Sequence, residues 1–255
     1  MSIEIRPELF APVERDAEAL QALARPATTY WRDAWRRLKQ NRAAMVGLAM
    51  IIILILLALF GPLFSPYSYS DQDLTEFGTD QPPSLARHWF GTDGLGRDLL
   101  VRVLYGARIS LAVGILASMI ILLIGVLYGG ISGYFGGKVD NTMMRIVDIL
   151  YGLPLVLVVI LLMVIFQPGL KNVLIAIGAT YWVSMARIVR GQILSLREQD
   201  YIMAATALGA SKRRILLRHL IPNSIGPIIV TATLAIPQAI FTEAFLSFIG
   251  LGVSA

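Results

Sequence analysis

The chain has 255 residues, of which 56% are hydrophobic and 15% are charged, and its mean hydropathy is +0.68. Soluble domains carry about 25% charged residues, so the composition excludes an ordinary soluble domain and predicts an integral membrane protein. The net charge of +5 does not indicate nucleic-acid binding, because Lys and Arg lie at the ends of apolar runs. With no cysteine and only His88 and His219, thiol chemistry is excluded and a metal or histidine-based catalytic centre is not expected.

Residues 1–42 form a polar extension with eight Lys or Arg and six Asp or Glu, and they lack the pattern of a cleaved secretion signal. Within this extension, Tyr30, Trp31, Trp35 and Leu38 recur at helical spacing among basic residues. The pattern is typical of a helix lying in the membrane interface. An ordinary solvated helix with a few aromatic residues fits it as well.

Five uncharged runs follow, and each predicts a transmembrane helix because about 20 residues span the hydrocarbon core. The runs are Ala43–Phe64, Ile109–Gly137, Ile149–Leu170, Asn172–Ala186 and Leu220–Thr242. Pro154 interrupts the third run, and the fifth helix is expected to continue through Glu243 to about Gly250. The fourth run is short, but Lys171 and Arg187 at its ends can extend their side chains to the interfaces.

These runs predict an all-α, polytopic membrane fold with a simple division of the chain. The N-terminal extension occupies 1–42, the first transmembrane helix 43–64, an external loop 65–105 and the remaining membrane domain 106–255. With the N-terminus in the cytoplasm, the cytoplasmic segments 1–42, 132–145 and 187–219 hold 17 Lys or Arg. The two outside segments, 65–104 and 167–172, hold only 4. This positive-inside bias predicts a cytoplasmic N-terminus and a cytoplasmic segment 199–222.

The chain has no phosphate-binding loop for a nucleotide. Its Gly137-Lys138 pair is followed by Val139, where Ser or Thr should bind magnesium, and Ser132 stands where the first glycine is needed. We therefore predict no catalytic residue and no cofactor in this chain, and any uphill transport must draw its energy from another chain.

Two polar features near the predicted outer side have alternative interpretations. The segment from Gly91 to Asp98 is expected to be a structural turn leading into the second helix. The functional alternative is a docking surface or gate for something arriving from outside. Its candidate residues are Gly91, Thr92, Asp93, Gly96, Arg97 and Asp98.

Glu243 is the only acid deep in a predicted span, and an intramembrane carboxylate is a functional candidate. It could line a polar pathway or pair with a partner's helix. Alternatively, the helix ends near Glu243 and the side chain is interfacial. Arg145 and Asp148 lie three residues apart, where an ion pair would be an ordinary structural feature.

Segment 199–222 is a basic, amphipathic island between two apolar runs. Its apolar stripes predict two short helices with a turn at Gly209, where the backbone must be free of side-chain clash. Ala204 and Ala205 are small enough to allow another surface to approach closely. Pro222 can open the next helix. The basic residues expected to face water or phospholipid are Lys212, Arg213, Arg214 and Arg218.

This island resembles the "EAA" loop of membrane subunits of bacterial ATP-binding-cassette importers, on the strength of Ala204-Ala205-x-x-x-Gly209 and the later Ile221-Pro222. The resemblance implies that the coupling loop, 197–222, docks into the ATPase subunit. Met203 stands where the family's Glu is usual, so the docking role is carried over to the matching residues only. The docking loop then comprises Ala204, Ala205 and Gly209 with the adjoining Leu208, Ala210 and Ser211.

Further blocks resemble the oligopeptide/dipeptide/nickel branch of these permeases, in particular its "C" type. They include His88-Trp-Phe-Gly-Thr-Asp93, Tyr105-Gly-Ala-Arg-Ile-Ser110, Gly133-Tyr-Phe-Gly-Gly137 and Glu243-Ala-Phe-Leu-Ser-Phe-Ile-Gly-Leu-Gly252. The resemblance implies a second, homologous permease forming a heterodimer, two ATPase subunits that bind ATP and Mg, and an external peptide-binding protein. It implies a location in the bacterial cytoplasmic membrane. It also implies a sixth membrane helix after the Gly250–Gly252 region, which we attribute to a segment beyond the present sequence.

The sequence therefore predicts the permease subunit of an importer for oligopeptides or dipeptides, and not an enzyme. Nickel import is the alternative within the same branch. A stand-alone secondary transporter should show paired repeats and several intramembrane charges, and an intramembrane hydrolase needs a nucleophile and a base within its spans. Neither pattern is seen in the sequence.

Overall fold

A computed structural model describes residues 30–73, 80–165 and 169–251. The described residues are helical apart from loops and one isolated bridge between Thr92 and Asp98, so the predicted all-α fold is confirmed. The helices are α1 Tyr30–Gln40, α2 Arg42–Phe60, α3 Leu99–Phe135, α4 Gly137–Tyr151, α5 Leu155–Ile165, α6 Leu170–Arg197, α7 Asp200–Ala207, α8 Lys212–Arg214, α9 Ile221–Asn223 and α10 Ile225–Phe248. A 3₁₀ turn, Gly61–Phe64, continues α2, and a π-helical segment, Ile215–Leu220, joins α8 to α9.

Four helical stretches within the described residues are long and apolar enough to cross a membrane. They are Arg42–Phe64, Leu99–Phe135, Leu170–Arg197 and Ile225–Phe248. A fifth candidate is the pair Gly137–Tyr151 and Leu155–Leu162, which is bent by 81°. The five apolar runs of the sequence therefore correspond to four continuous helical stretches and one bent pair.

The second predicted helix begins earlier than its apolar run, at Leu99 rather than Ile109. The preceding loop, expected to reach residue 105, therefore ends at Asp98. Asp98 caps the helix, because its side chain accepts a hydrogen bond from the backbone N–H of Val101 at 2.8 Å. Arg102 and Arg108 ended the uncharged run in the sequence, although both fit within the helix.

The third predicted helix is not one straight span from Ile149. It begins at Gly137 and breaks after Tyr151, and a new helix starts at Leu155. The break falls at Pro154, which lacks a backbone N–H and disfavours helical geometry in the residue before it. The 81° bend makes this pair either a broken span or a re-entrant segment.

The fifth predicted helix begins at Ile225 rather than Leu220. The regular helix is interrupted at Ser224, between these two residues, and the Ser224 hydroxyl donates to the backbone carbonyl of Leu220 at 2.7 Å. The helix then continues past Glu243 to Phe248, close to the predicted end at Gly250.

The chain divides into two compact units, residues 1–54 and 55–255. In the described part of the first unit, Trp31 and Trp35 of α1 are exposed, and Arg37 forms an ion pair with Asp33 at 2.7 Å. The predicted helix over these residues is confirmed. Its place at a membrane interface or in water stays a prediction.

In the second unit, α3, α6 and α10 form the core. One apolar cluster includes Val113, Ile177 and Leu246, and a second includes Met185 and Leu220. Within the described residues, α3 and α6 make the most extensive contact between two helices.

Three glycines on α3 explain the closeness of α3 and α6. An added Cβ would lie 2.5 Å from Met185 Cβ at Gly125, 2.3 Å from the Ala186 carbonyl oxygen at Gly129, and 2.8 Å from the Arg190 carbonyl oxygen at Gly133. We call this contact the α3–α6 seam. Glycines at spacing four are a known signal for close packing of membrane helices, and the sequence carries that signal.

Candidate functional site

The turn between α7 and α8 has the geometry that the sequence predicts. Gly209 has a φ of +80°, a left-handed conformation that glycine adopts without strain. The N–H of Gly209 donates to the Thr206 carbonyl, and the N–H of Ala210 donates to the Ala205 carbonyl, both at 3.0 Å. These bonds satisfy the end of α7 and reverse the chain direction.

The chain beyond the turn is anchored on the side that faces the core of the protein. The side chain of Ser211 caps α8 by accepting from the N–H of Arg214 at 3.3 Å. Ile215 and Leu220 are buried in the same apolar cluster as Ile193 of α6 and Ile202 of α7. The short helices are therefore fixed to the core by their apolar stripes, as the alternation in the sequence predicts.

The opposite side of the same helices, away from the core, is exposed. Leu208 is 88% exposed and Met203 is 56% exposed. The exposed residues that we call the α7–α8 surface are Met203, Ala204, Leu208, Gly209 and Lys212. Ala205 is half-buried behind it, as is Ala210, whereas Ser211 is exposed at its edge.

A cavity of about 600 Å³ lies beside the α7–α8 surface. Its lining includes Tyr134 and Phe135 from the end of α3, Arg197 from α6, and Met203 and Lys212. The Lys212 ammonium stands 5.5 Å from the centre of the Phe135 ring, in a cation–π position. The apolar exposed side chains are thus bordered by positive charge.

A group of ionic contacts ties this end of α6 to α3 and α4. Arg190 donates from Nε and Nη2 to the two carboxylate oxygens of Asp140, each at 2.5 Å. The hydroxyl of Ser132 donates to the same carboxylate. Arg197 donates to the carbonyl of Tyr134 at 3.0 Å, where α3 ends. The sequence analysis missed this group. Its only sequence signal is that Asp140 and Arg190 are charges beside apolar runs.

The ion pair expected between Arg145 and Asp148 is replaced by a different one. Asp148 accepts from Arg187 at 2.7 Å. The guanidinium of Arg187 also lies 4.3 Å from the centre of the Tyr151 ring. Contact between α4 and α6 brings Arg187 to Asp148, and spacing within α4 alone could not predict that partner.

The segment from Gly91 to Asp98 forms a closed, internally bonded turn. Asp93 accepts from the backbone N–H groups of Leu95 and Arg97 and from Arg97 Nε at 2.9 Å. The backbone bond from Arg97 is the largest of the interactions that hold the pKa of Asp93 below its usual range. The hydroxyl of Thr92 accepts from the N–H of Gln81 at 2.8 Å.

Two glycines in this turn are required by both conformation and space. Gly91 and Gly96 have φ values of +79° and +76°. A Cβ at Gly91 would lie 2.4 Å from the Gln81 carbonyl oxygen, and a Cβ at Gly96 would lie 2.5 Å from the Asp73 carbonyl oxygen. The geometry is that of the structural turn expected from the sequence, and the docking or gating alternative stays a prediction.

A buried histidine supports the turn from behind. His88 is 2% exposed, and its ring nitrogens lie 2.8 Å from an Asp98 carboxylate oxygen and 3.3 Å from an Asp73 carboxylate oxygen. The ring of Tyr67 lies 4.3 Å from the His88 ring, centre to centre. His88 therefore positions the residue that caps α3, a role that the sequence analysis did not assign.

Glu243 lies within α10 and is 7% exposed. The hydroxyl of Ser247 donates to its carboxylate at 2.9 Å and that of Ser110 at 3.4 Å. Glu243 also lines a cavity of about 840 Å³ together with Arg97 and Arg102. Arg97 of the predicted 91–98 site therefore lines the same cavity as Glu243, while Asp98 faces a separate, smaller cavity.

Four helical stretches of membrane-spanning length and an exposed turn of small and basic residues are the features of a multi-spanning membrane protein. The chain belongs to the family described as "Binding-protein-dependent transport system inner membrane component", whose model matches residues 125–254. A second model, the "N-terminal TM domain of oligopeptide transport permease C", matches residues 29–83. The resemblance drawn from the motifs is confirmed.

Two curated relatives match over most of their length. The dipeptide transport system permease protein DppC of Bacillus subtilis is 53% identical over 95% of this chain and 74% of the relative. The oligopeptide transport system permease protein OppC of the same organism is 50% identical over 97% of this chain and 80% of the relative. A solved structure of the MetNI methionine ABC transporter has 20% identity and a TM-score of 0.49, covering 59% of this chain and 75% of that one.

Proposed function

We propose that this chain is the "C"-type permease of an importer for oligopeptides or dipeptides in the bacterial cytoplasmic membrane. It pairs with a second, homologous permease, and the translocation pathway runs between the two. An external peptide-binding protein delivers the cargo, and two partner ATPases, which bind ATP and Mg, supply the energy. The names of relatives at 53% and 50% identity support peptides over nickel as the cargo.

The observation that carries this proposal is the α7–α8 surface, which is open on one side and anchored on the other. Leu208, Met203 and Ala204 present an exposed apolar patch that a partner's cleft could cover. Ile215 and Leu220 hold the opposite side in the core. A force applied to the surface therefore reaches the membrane helices through buried contacts.

The proposed docking loop is Ala204, Ala205, Leu208, Gly209, Ala210 and Ser211. Closure of the ATPase pair would move α7 and α8 as one body with the end of α6. The ion pair between Asp140 and Arg190 and the bond from Arg197 to Tyr134 would carry that movement to α4 and α3. The permease would then switch between outward-open and inward-open states.

The roles proposed for residues 91–98 and Glu243 follow from the side of the membrane on which they lie. With the N-terminus in the cytoplasm, as the distribution of Lys and Arg favours, the turn at residues 91–98 and Glu243 lie towards the outside. The rigid turn of Gly91, Thr92, Asp93, Gly96, Arg97 and Asp98 would offer a fixed surface to the binding protein. Glu243 would line the outer part of the pathway.

The docking role is tested by Leu208→Asp in the complete importer, reconstituted in vesicles with its partner subunits. Because Leu208 is 88% exposed, the substitution should leave folding unchanged. A charge placed in an apolar contact should reduce co-purification of the ATPases and lower ATP-driven peptide uptake by more than about tenfold, a loss that corresponds to about 1.4 kcal/mol.

The matched control is Lys138→Glu, which also adds negative charge at an exposed position, in the first turn of α4, where a carboxylate is favourable. It should retain normal uptake. Normal uptake by Leu208→Asp at normal expression would refute the docking role. Absence of peptide uptake by the wild-type assembly would refute the peptide cargo.

A further inference from the structure

The cavity beside Glu243 is lined by both aromatic and charged side chains. It has a volume of about 840 Å³ and lies among the loop at Tyr69–Gln72, the first turns of α3 and the last turns of α10. Tyr69 and Tyr105 form an aromatic wall, with ring centres 5.1 Å apart. Pockets of this size hold small organic ligands. The charged side chains lie elsewhere on the lining of the cavity.

One part of the lining carries surplus positive charge. Arg97 Nε lies 2.9 Å and Arg102 Nη1 3.4 Å from the same carboxylate oxygen of Asp93. Two guanidinium groups therefore share one carboxylate. Both arginines line the cavity and retain partial exposure there, with 21% and 26% of their side-chain surface accessible. Guanidinium groups bind a carboxylate in a planar, often bidentate, geometry.

Another part carries surplus negative charge. Glu243 receives hydrogen bonds from the hydroxyls of Ser110 and Ser247. No basic side chain among residues 30–73, 80–165 and 169–251 forms an ion pair with it. A carboxylate that is 7% exposed and held by neutral donors attracts a cation more strongly than one in water.

The rise of α3 between the two charged parts of the lining is comparable with the length of a short peptide. Arg102 and Ser110 lie on one face of α3, and their spacing along the helix corresponds to about 12 Å at 1.5 Å per residue. An extended peptide advances about 3.3–3.6 Å per residue, so three or four residues separate its terminal charges by about the same distance.

We propose that this cavity is a binding site for the free termini of a short peptide during translocation. The α-ammonium group pairs with Glu243 and the α-carboxylate with Arg102 and Arg97, while the aromatic wall contacts the peptide between them. Every unmodified peptide carries these two charges, so the site accepts peptides of varied sequence. This inference rests on the proposed function, since it deepens the assignment of peptide as the cargo.

The test uses the complete importer in vesicles and begins with wild-type uptake of labelled trialanine. Since the chain contains no cysteine, Ser70→Cys provides a single thiol in the cavity, at a lining residue outside the proposed contacts. Its rate of modification by an impermeant, positively charged thiosulfonate reagent is measured without peptide, with trialanine, and with trialanine blocked at both termini. Ile109→Cys, another lining residue outside the proposed contacts, serves as a second reporter should Ser70→Cys fail to assemble.

We expect free trialanine to slow the modification at least about fivefold and the blocked peptide to have no effect. Glu243→Gln, which keeps an oxygen acceptor for the two serines, should abolish this protection and lower trialanine uptake about tenfold. The control Asp80→Asn removes an exposed acid of the same loop that does not line the cavity, and it should behave as the wild type.

Three outcomes would overturn the inference while leaving the proposed function intact, provided that wild-type uptake is normal. The first is equal protection by free and blocked peptide, and the second is full protection in Glu243→Gln. The third is protection without peptide in phosphatidylethanolamine vesicles but not in phosphatidylglycerol vesicles, because a zwitterionic lipid headgroup would then occupy the cavity. Failure of wild-type uptake would instead count against the proposed function.

Discussion

The α3–α6 seam and the α7–α8 surface use similar residues for opposite purposes. In the seam, Gly125, Gly129 and Gly133 are small because another helix of the same chain lies against them. In the surface, Gly209 has nothing within 4 Å of the position where a Cβ would stand. Small residues therefore indicate close approach in both regions, but only the seam supplies its own neighbour.

The burial of the two regions supports the same distinction. Of the most apolar window of α6, 56% is buried within the chain. At the α7–α8 surface, Leu208 is almost fully exposed, at 88%. An apolar side chain so exposed on a short, well-bonded turn is what a docking partner would cover. The seam is a stable frame, and we propose that a partner completes the surface.

The largest effect expected on the seam is that of Gly129→Ala. The new Cβ would lie 2.3 Å from a backbone oxygen of Ala186, which cannot move without shifting α6. Overpacking of this kind costs about 1–3 kcal/mol, and a backbone clash should lie at the upper end. The thermal unfolding midpoint of the purified complex measures the loss.

The control is the neighbouring Gly130→Ala, whose Cβ would meet Leu216 Cδ1 at 3.5 Å and Ile221 Cδ1 at 3.8 Å, both ordinary contacts. It should be near neutral, or slightly stabilising, because alanine favours helix more than glycine does. If both substitutions lower the midpoint equally, the helices are not in the close contact described.

A smaller effect is expected from Asp140→Asn, which removes the charge that Arg190 contacts. Asp140 is 5% exposed, but 34% of the Arg190 side chain is accessible, so water partly compensates for the lost partner. We expect a loss of about 2 kcal/mol, below the range for a fully buried pair. The measurement is again the unfolding midpoint, with peptide uptake as a second readout.

Asp148→Asn is its matched control, because Asp148 is 64% exposed in its pair with Arg187. Exposed pairs contribute about 0–1 kcal/mol, so this substitution should have little effect. If Asp148→Asn lowers the unfolding midpoint as much as Asp140→Asn does, the ion pair between Asp140 and Arg190 does not stabilise the protein more than an exposed pair.

Much of the fold follows from local sequence patterns. The membrane helices follow from uncharged runs, and the turn at Gly209 follows from a glycine between two apolar stripes. The start of α3 at Leu99 was missed because Arg102 and Arg108 ended the uncharged run, although Asp98 is a good helix cap. The break at Pro154 was seen, but a proline alone does not specify an 81° bend.

The candidate sites were predictable only in part, because side chains from distant positions complete them. Asp140 and Arg190 are separated by 50 positions in the chain, and Ser110 and Glu243 by 133. Neither pair has a local signal. The spacing of Gly125, Gly129 and Gly133 was available in the sequence, and it would have predicted the seam.

Gly209→Ala is expected to affect stability less than Gly129→Ala or Asp140→Asn, and it separates the two regions most directly. Its φ of +80° disfavours alanine by about 1 kcal/mol, but a Cβ there meets no atom of this chain. Gly209→Asn should cost less, because asparagine tolerates this conformation. The unfolding midpoint should therefore fall less for either variant than for Gly129→Ala. If Gly209→Ala nevertheless abolishes co-purification of the ATPases, the added methyl group must clash with a partner, since the chain itself has room for it. If Gly209→Ala lowers the midpoint as much as Gly129→Ala, the turn is packed against this chain after all, and the α7–α8 surface is not the open region described.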